Sequence, residues 1–116
     1  MNNPDPSASV KTSITTAVKE PHLFKLIYVN DDKTAMEFVI ETLVDIFNYT
    51  ELTAEKITLE IHENGSAVVA VLPYELAEQK GVEVTVSARS KGFPLQVKLE
   101  PDVWYATSNE TLWFLL

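Results

Sequence analysis

Apolar and polar positions along the chain sort into six segments. Phe24-Lys25-Leu26-Ile27-Tyr28-Val29 is a short β-rich run, bounded by Pro21 on one side and Asn30-Asp31-Asp32 on the other, and it predicts a strand. Thr34-Ala35-Met36-Glu37 then has the Ser/Thr-x-x-Glu form of a capping box. Met36, Val39, Ile40, Leu43, Ile46 and Phe47 follow at helical spacing, with Glu37, Glu41 and Asp45 on the other side. From Thr53 onward two patterns compete. A helix capped by Thr53 would place Ile57 and Ile61 on one face and end at Asn64-Gly65. Ile57, Leu59 and Ile61 also alternate as in a strand, with Asn64-Gly65 as a hairpin turn. Ser66–Leu72 predicts a strand under either reading.

Pro73 suits the first turn of a further helix. Leu76, Ala77, Lys80, Val84 and Ala88 make one helical stripe, although Val82, Val84 and Val86 alternate. Gly81 weakens such a helix by about 1 kcal/mol relative to Ala. Helix to about Lys91, stopped by Gly92, is the preferred reading. Leu95-Gln96-Val97-Lys98-Leu99 alternates as a half-exposed strand. The predicted order is β-α-α-β-α-β, an α+β domain with a small antiparallel sheet and no internal repeat.

The flanks differ from this core. Residues 1–22, with Asn2, Asn3, Pro4, Pro6, Ser7 and Ser9, hold too few apolar side chains to offset the entropy of ordering them, and a flexible tail is expected. Residues 101–116 are apolar and aromatic through Trp104, Tyr105, Leu112, Trp113, Phe114, Leu115 and Leu116. Either they pack back across the domain or they serve as a docking or dimer segment.

A length of 116 residues fits one domain, 23–100, between these flanks. The net charge of −8 and a single arginine, Arg89, argue against nucleic-acid binding and against an anionic membrane surface, and suit cationic partners such as a free amino terminus. The absence of cysteine removes disulfides, thiolate metal sites and thiol nucleophiles. No apolar run approaches the ~18 residues of a membrane span, and the amino terminus has no signal-peptide pattern. A cytoplasmic protein is expected.

Chemistry gathers after the first strand. Asn30, Asp31 and neutral His62 offer hydrogen-bond acceptors, which an ammonium group, carrying only donors, requires. A depression lined by Met36, Val39 and Ile61 beside them would accept an apolar side chain. Asp31, Asp32, Glu37, Glu60, His62 and Glu63 have ligand chemistry for a metal, yet no metal-binding spacing and no Gly-rich phosphate loop occurs. No cofactor, no metal and no catalytic activity are therefore expected.

The contiguous stretch from Phe24 to Val39, with its Asn-Asp-Asp-Lys-Thr-Ala-Met-Glu-Phe-Val core, resembles the signature of the ClpS family, adaptors of the bacterial Clp protease. His62 before a Gly turn, the segment Tyr74–Lys80 and Phe93-Pro94-Leu95 extend the resemblance over about residues 23–100. It implies three helices on a three-stranded antiparallel sheet, as in the carboxy-terminal domain of the ribosomal stalk protein, and so favours helix for Thr53–Glu63 and for Pro73–Lys91. It also implies an adaptor that binds substrates with an amino-terminal Leu, Phe, Tyr or Trp and hands them to a AAA+ unfoldase, ClpA or ClpC.

Under that resemblance Asn30, Asp31 and His62 hold the α-amino group, and Asp32, Thr34, Met36, Val39, Ile61 and Leu95 line the side-chain pocket, with Met36 as gatekeeper against β-branched residues. Glu75 and Lys80 touch the unfoldase, residues 1–22 serve delivery, and a monomer is expected. Thr58 departs from the family, which usually has Met or Leu there. A shorter, partly polar wall implies a looser grip on Leu. The family gives no guidance for 101–116. A module of the same fold that binds the unfoldase or another partner without reading the first residue is the alternative.

Overall fold

The run that follows Pro21 becomes the middle strand of the sheet. In the computed structural model, which describes residues 23–102, β1 (Leu23–Val29) pairs antiparallel with β2 (Ser66–Pro73) on one side and with β3 (Gln96–Pro101) on the other. The sheet order is β2-β1-β3. A central position explains the composition of β1, where Leu26, Ile27 and Tyr28 are consecutive and all buried. Helices α1 (Met36–Asp45), α2 (Glu51–Asn64) and α3 (Tyr74–Ser90) complete the predicted β-α-α-β-α-β order. They pack on the sheet face that presents Leu26 and Tyr28.

Both ambiguous segments are helical, and burial shows why. Along α2, Ala54, Thr58 and Ile61 recur at helical spacing and are buried, whereas Leu59, which a strand would place with Ile57 and Ile61, is exposed. Along α3 the buried stripe is Ala77, Gly81, Val84 and Ala88, with Val82 and Val86 left outside. Gly81 thus belongs to the packed face. A Cβ there would stand 3.7 Å from Val97 Cγ1 and 4.0 Å from Leu26 Cδ1, an ordinary contact.

The capping predictions need correction. Ala35, not Thr34, precedes α1, with no side-chain cap, because the Thr34 hydroxyl is taken by Asp31. The α2 cap is Thr50, whose hydroxyl accepts from Thr53 N–H at 3.2 Å, rather than Thr53 itself. Pro73 ends β2 and precedes α3, one position before the predicted helical turn. Ile46 and Phe47 lie past the end of α1 yet still pack against the core.

Two polar contacts lock α1 and the following turn to the sheet. The Thr42 hydroxyl donates to Val39 C=O at 2.8 Å, so the buried Tyr28 hydroxyl, 2.8 Å away, donates to Thr42 Oγ1. Burial raises the Tyr28 pKa more than the Thr42 hydrogen bond lowers it, which keeps the phenol neutral and able to donate. The pairing of β1 with β2 slips by one residue at Val69, and the carbonyl of that extra residue accepts the Tyr49 hydroxyl.

Candidate functional site

The loop between β1 and α1 is organised by one carboxylate. Asp31 Oδ1 accepts Lys33 N–H at 2.8 Å and Thr34 N–H at 2.7 Å, and Oδ2 accepts the Thr34 hydroxyl at 2.8 Å. Desolvation pushes the carboxyl up, but these backbone and hydroxyl donors, with the charge of Arg89, outweigh it and hold the group below its ordinary 3.8. Asp31 is therefore ionised at neutral pH. A carboxylate has about four lone-pair positions, and the loop uses three of them, leaving one for a ligand.

A second element meets this loop. α2 ends because Gly65 takes φ 88°, a conformation that favours glycine, and its N–H returns to Ile61 C=O. The Gly65 carbonyl then accepts Asn30 N–H at 2.9 Å, tying the end of α2 to the end of β1. That bond brings Asn30 and His62, 32 positions apart in sequence, to one cavity. The third element is the loop before β3. Arg89 Nη1 donates to Phe93 C=O and to Leu95 C=O, each at 2.9 Å, which fixes the buried Leu95.

The resulting cavity is lined by Asn30, Asp31, Thr34, Met36, Val39, Thr58, Ile61, His62 and Leu95, all predicted from sequence, and by Val29, which was not. Val29 was legible only as the last residue of a strand. Asn30, Asp31 and His62 belong to the lining together with Thr34 and Thr58, and Val29, Met36, Val39, Ile61 and Leu95 supply its apolar side chains. The cavity volume is about 20 Å³, room for a single water. Met36 is 43% exposed and unbranched, so its side chain is free to change rotamer. The Thr58 hydroxyl donates to Ala54 C=O at 2.8 Å, so Thr58 lines the cavity without a free donor.

Asp32 is exposed and does not line the cavity, unlike the expectation for it. Glu75 is exposed in the first turn of α3. Lys80 is half-buried, donates to Ile46 C=O at 2.9 Å and lies 5.7 Å from the Phe47 ring centroid, so it fastens α3 to the end of α1. Sequence reading also missed Arg89 as the residue that positions Leu95. A larger cleft of about 640 Å³, with Phe38, Ile40 and Phe93 below Glu37, Glu41 and Glu51, contains none of the predicted site residues. Among the described residues no cluster of three or more His, Asp or Glu could hold a metal ion, and no helix is long and apolar enough to cross a membrane.

Fold and site together define a small α+β domain with an apolar pocket bordered by hydrogen-bond acceptors. Residues 19–98 match the family model of the ATP-dependent Clp protease adaptor protein ClpS. The chain is 40% identical over 97 residues to a Clostridium acetobutylicum protein named ATP-dependent Clp protease adapter protein ClpS, covering 78% of this chain and 96% of that one. A Caulobacter vibrioides protein of the same name is 40% identical over 95 residues, covering 82% and 87%. The solved structure of Agrobacterium tumefaciens ClpS2 bound to L-phenylalaninamide superposes with a TM-score of 0.69 at 39% identity, over 71% of this chain and 99% of that chain. The chain belongs to the ClpS family, the adaptors of the Clp protease.

Proposed function

We propose that the protein reads the first residue of its substrates, binding a free α-amino group together with a bulky hydrophobic side chain (Leu, Phe, Tyr or Trp), and delivers them to a ClpA or ClpC unfoldase. The observation that carries this reading is the meeting of Asn30, Asp31 and His62 at the edge of an apolar cavity. The likeness to a ClpS2 bound to L-phenylalaninamide, a molecule with a free amine beside a benzyl group, supports it. An α-amino group of pKa about 7.7–8.0 is largely charged at neutral pH. Its hydrogen bonds to Asn30, Asp31 and His62 are worth ~1.5–3 kcal/mol each before desolvation, and burying a Phe or Leu side chain adds about 1.5–3 kcal/mol. Neither half gives tight binding alone, so both features are required together.

The cavity of about 20 Å³ must widen to admit an aromatic ring, and the exposed, unbranched Met36 is the lining side chain with room to turn aside. This agrees with a gatekeeper role. Glu75 is available for unfoldase contact, whereas Lys80 would contribute through its edge or by leaving Ile46. The delivery role of residues 1–22 lies outside the described residues, as does nearly all of 101–116.

Fluorescent peptides starting with Phe, Leu, Trp, Ile or Asp, plus acetylated Phe, test the reading by titration. Binding of free Phe without binding of acetylated Phe or Asp is expected. Equal binding of all six would leave an interaction module that ignores the first residue. Thr58→Met should change the Phe-to-Leu affinity ratio, and an unchanged ratio would remove Thr58 from selectivity.

A further inference from the structure

The outer side of the α3–β3 layer is apolar and uncovered among the described residues. Val82 and Val86 stand four positions apart on α3 and are 56% and 62% exposed. With Gly81, Thr85, Val97 and Leu99 they line a groove of about 270 Å³, with Glu78 as its one charged residue. Among the described residues β3 is an edge strand, paired only to β1, which leaves its other edge open to a further extended segment. A groove of this kind needs an occupant, and the chain itself carries one of matching chemistry.

We propose that the segment 103–116 folds back and docks its aromatic end, Trp113-Phe114-Leu115-Leu116, into the α3–β3 groove of its own domain. The segment contains one charged residue, Glu110, and leaves the fold at Asp102, whose N–H is still bonded to Leu23 C=O at 2.8 Å beside the end of β3. Fully extended at about 3.3 Å per residue, 14 residues reach ~46 Å, whereas the six residues of β3 rise only about 20 Å. After a reversal at Thr107-Ser108-Asn109, a run of turn-forming residues, the seven residues 110–116 still reach ~23 Å, comparable with the rise of β3. Aromatic side chains bury about 150–250 Å² each, which is the cover that Val82 and Val86 lack. The segment lies beyond the family match at residues 19–98.

The chain's two tryptophans, Trp104 and Trp113, both fall in the segment, so fluorescence excited selectively at tryptophan reports on it alone. Emission maximum and acrylamide quenching are measured on the full chain over a concentration series, with sedimentation equilibrium on the same samples. Docking predicts blue-shifted, quencher-protected emission that is independent of concentration in a monomer. Val86→Lys and, separately, Val82→Lys should each red-shift the emission and raise quenching several-fold, with the far-ultraviolet circular dichroism of the folded protein retained. Exposed tryptophans in the unsubstituted chain overturn the proposal. So does protection that both lysine variants leave intact, or protection that appears only as the chain self-associates.

Discussion

The loop after β1 and the loop before β3 close on the same cavity but are held in opposite senses. Residues 30–34 wrap around an anion, with three donors converging on the Asp31 carboxylate. Residues 93–95 wrap around a cation, with two carbonyls converging on Arg89 Nη1. The two charges are coupled, since Arg89 helps hold the Asp31 carboxyl low. They differ in what is left for a ligand. Asp31 lines the cavity and keeps an unused lone pair, so under the proposed function the charge that orders the loop would also serve the substrate amine. Arg89 does not line the cavity; it acts on it by contact through Leu95 and by its charge on Asp31.

The largest effect should come from separating the two roles of Asp31. Asp31→Asn keeps an oxygen that can accept Lys33 and Thr34 N–H but loses the charge. One charge-assisted bond of about 1.5–3 kcal/mol corresponds to roughly 10–150-fold in Kd for a free-amine peptide. Asp31→Ala removes the loop bonds as well, and should bind more weakly still and melt earlier. Wild-type affinity in Asp31→Asn, measured by peptide titration, would reduce Asp31 to an organiser of the loop.

Arg89→Met should act mainly on the other half, with a small effect on Asp31 through the lost charge. It preserves an apolar stem while releasing the Phe93 and Leu95 carbonyls. The expected loss is about tenfold or less in affinity, as for net hydrogen bonds of ~0.5–1.5 kcal/mol. The Phe-to-Leu ratio should move, because Leu95 lines the pocket, and discrimination against acetylated Phe should hold. Loss of that discrimination would mean the two loops are not independent.

The same contrast explains what sequence alone could show. The strands and α1 were legible because local motifs carry them: a β-rich run, an apolar stripe, and turn residues at its ends. Asn30 and Asp31, far from His62 in sequence, were grouped with it by their acceptor chemistry and by the family resemblance. The α2 and α3 patterns were ambiguous because Ile57-x-Leu59-x-Ile61 and Val82-x-Val84-x-Val86 fit both periods, and only burial against the sheet shows which positions face inward. Thr34 read as a helix cap because cap and loop chemistry use the same hydroxyl, and here the Asp31 carboxylate wins it. Arg89 was invisible as a site residue because its partners are backbone carbonyls, which no motif encodes.

The smallest change that still distinguishes the loops is Thr34→Val. It removes the hydroxyl bonded to Asp31 Oδ2 and leaves both N–H bonds to Oδ1 in place. The Thr34 hydroxyl is one of the causes that hold the carboxyl below 3.8, so its removal moves the folded-state value back up. A depressed carboxyl stabilises the native state above its unfolded pKa and loses that contribution as pH falls through its folded pKa. Wild type should therefore melt slightly above Thr34→Val at neutral pH, and the gap should narrow as the pH drops below 3.8 and Asp31 protonates in both proteins. Arg89→Met, whose main lost partners are neutral carbonyls, should show a melting offset that changes much less over the same range. Melting curves at matched ionic strength decide it: a Thr34→Val gap that stays constant to pH ~2, well below the ordinary carboxylate range, would show that the hydroxyl supports the loop without acting through the Asp31 charge.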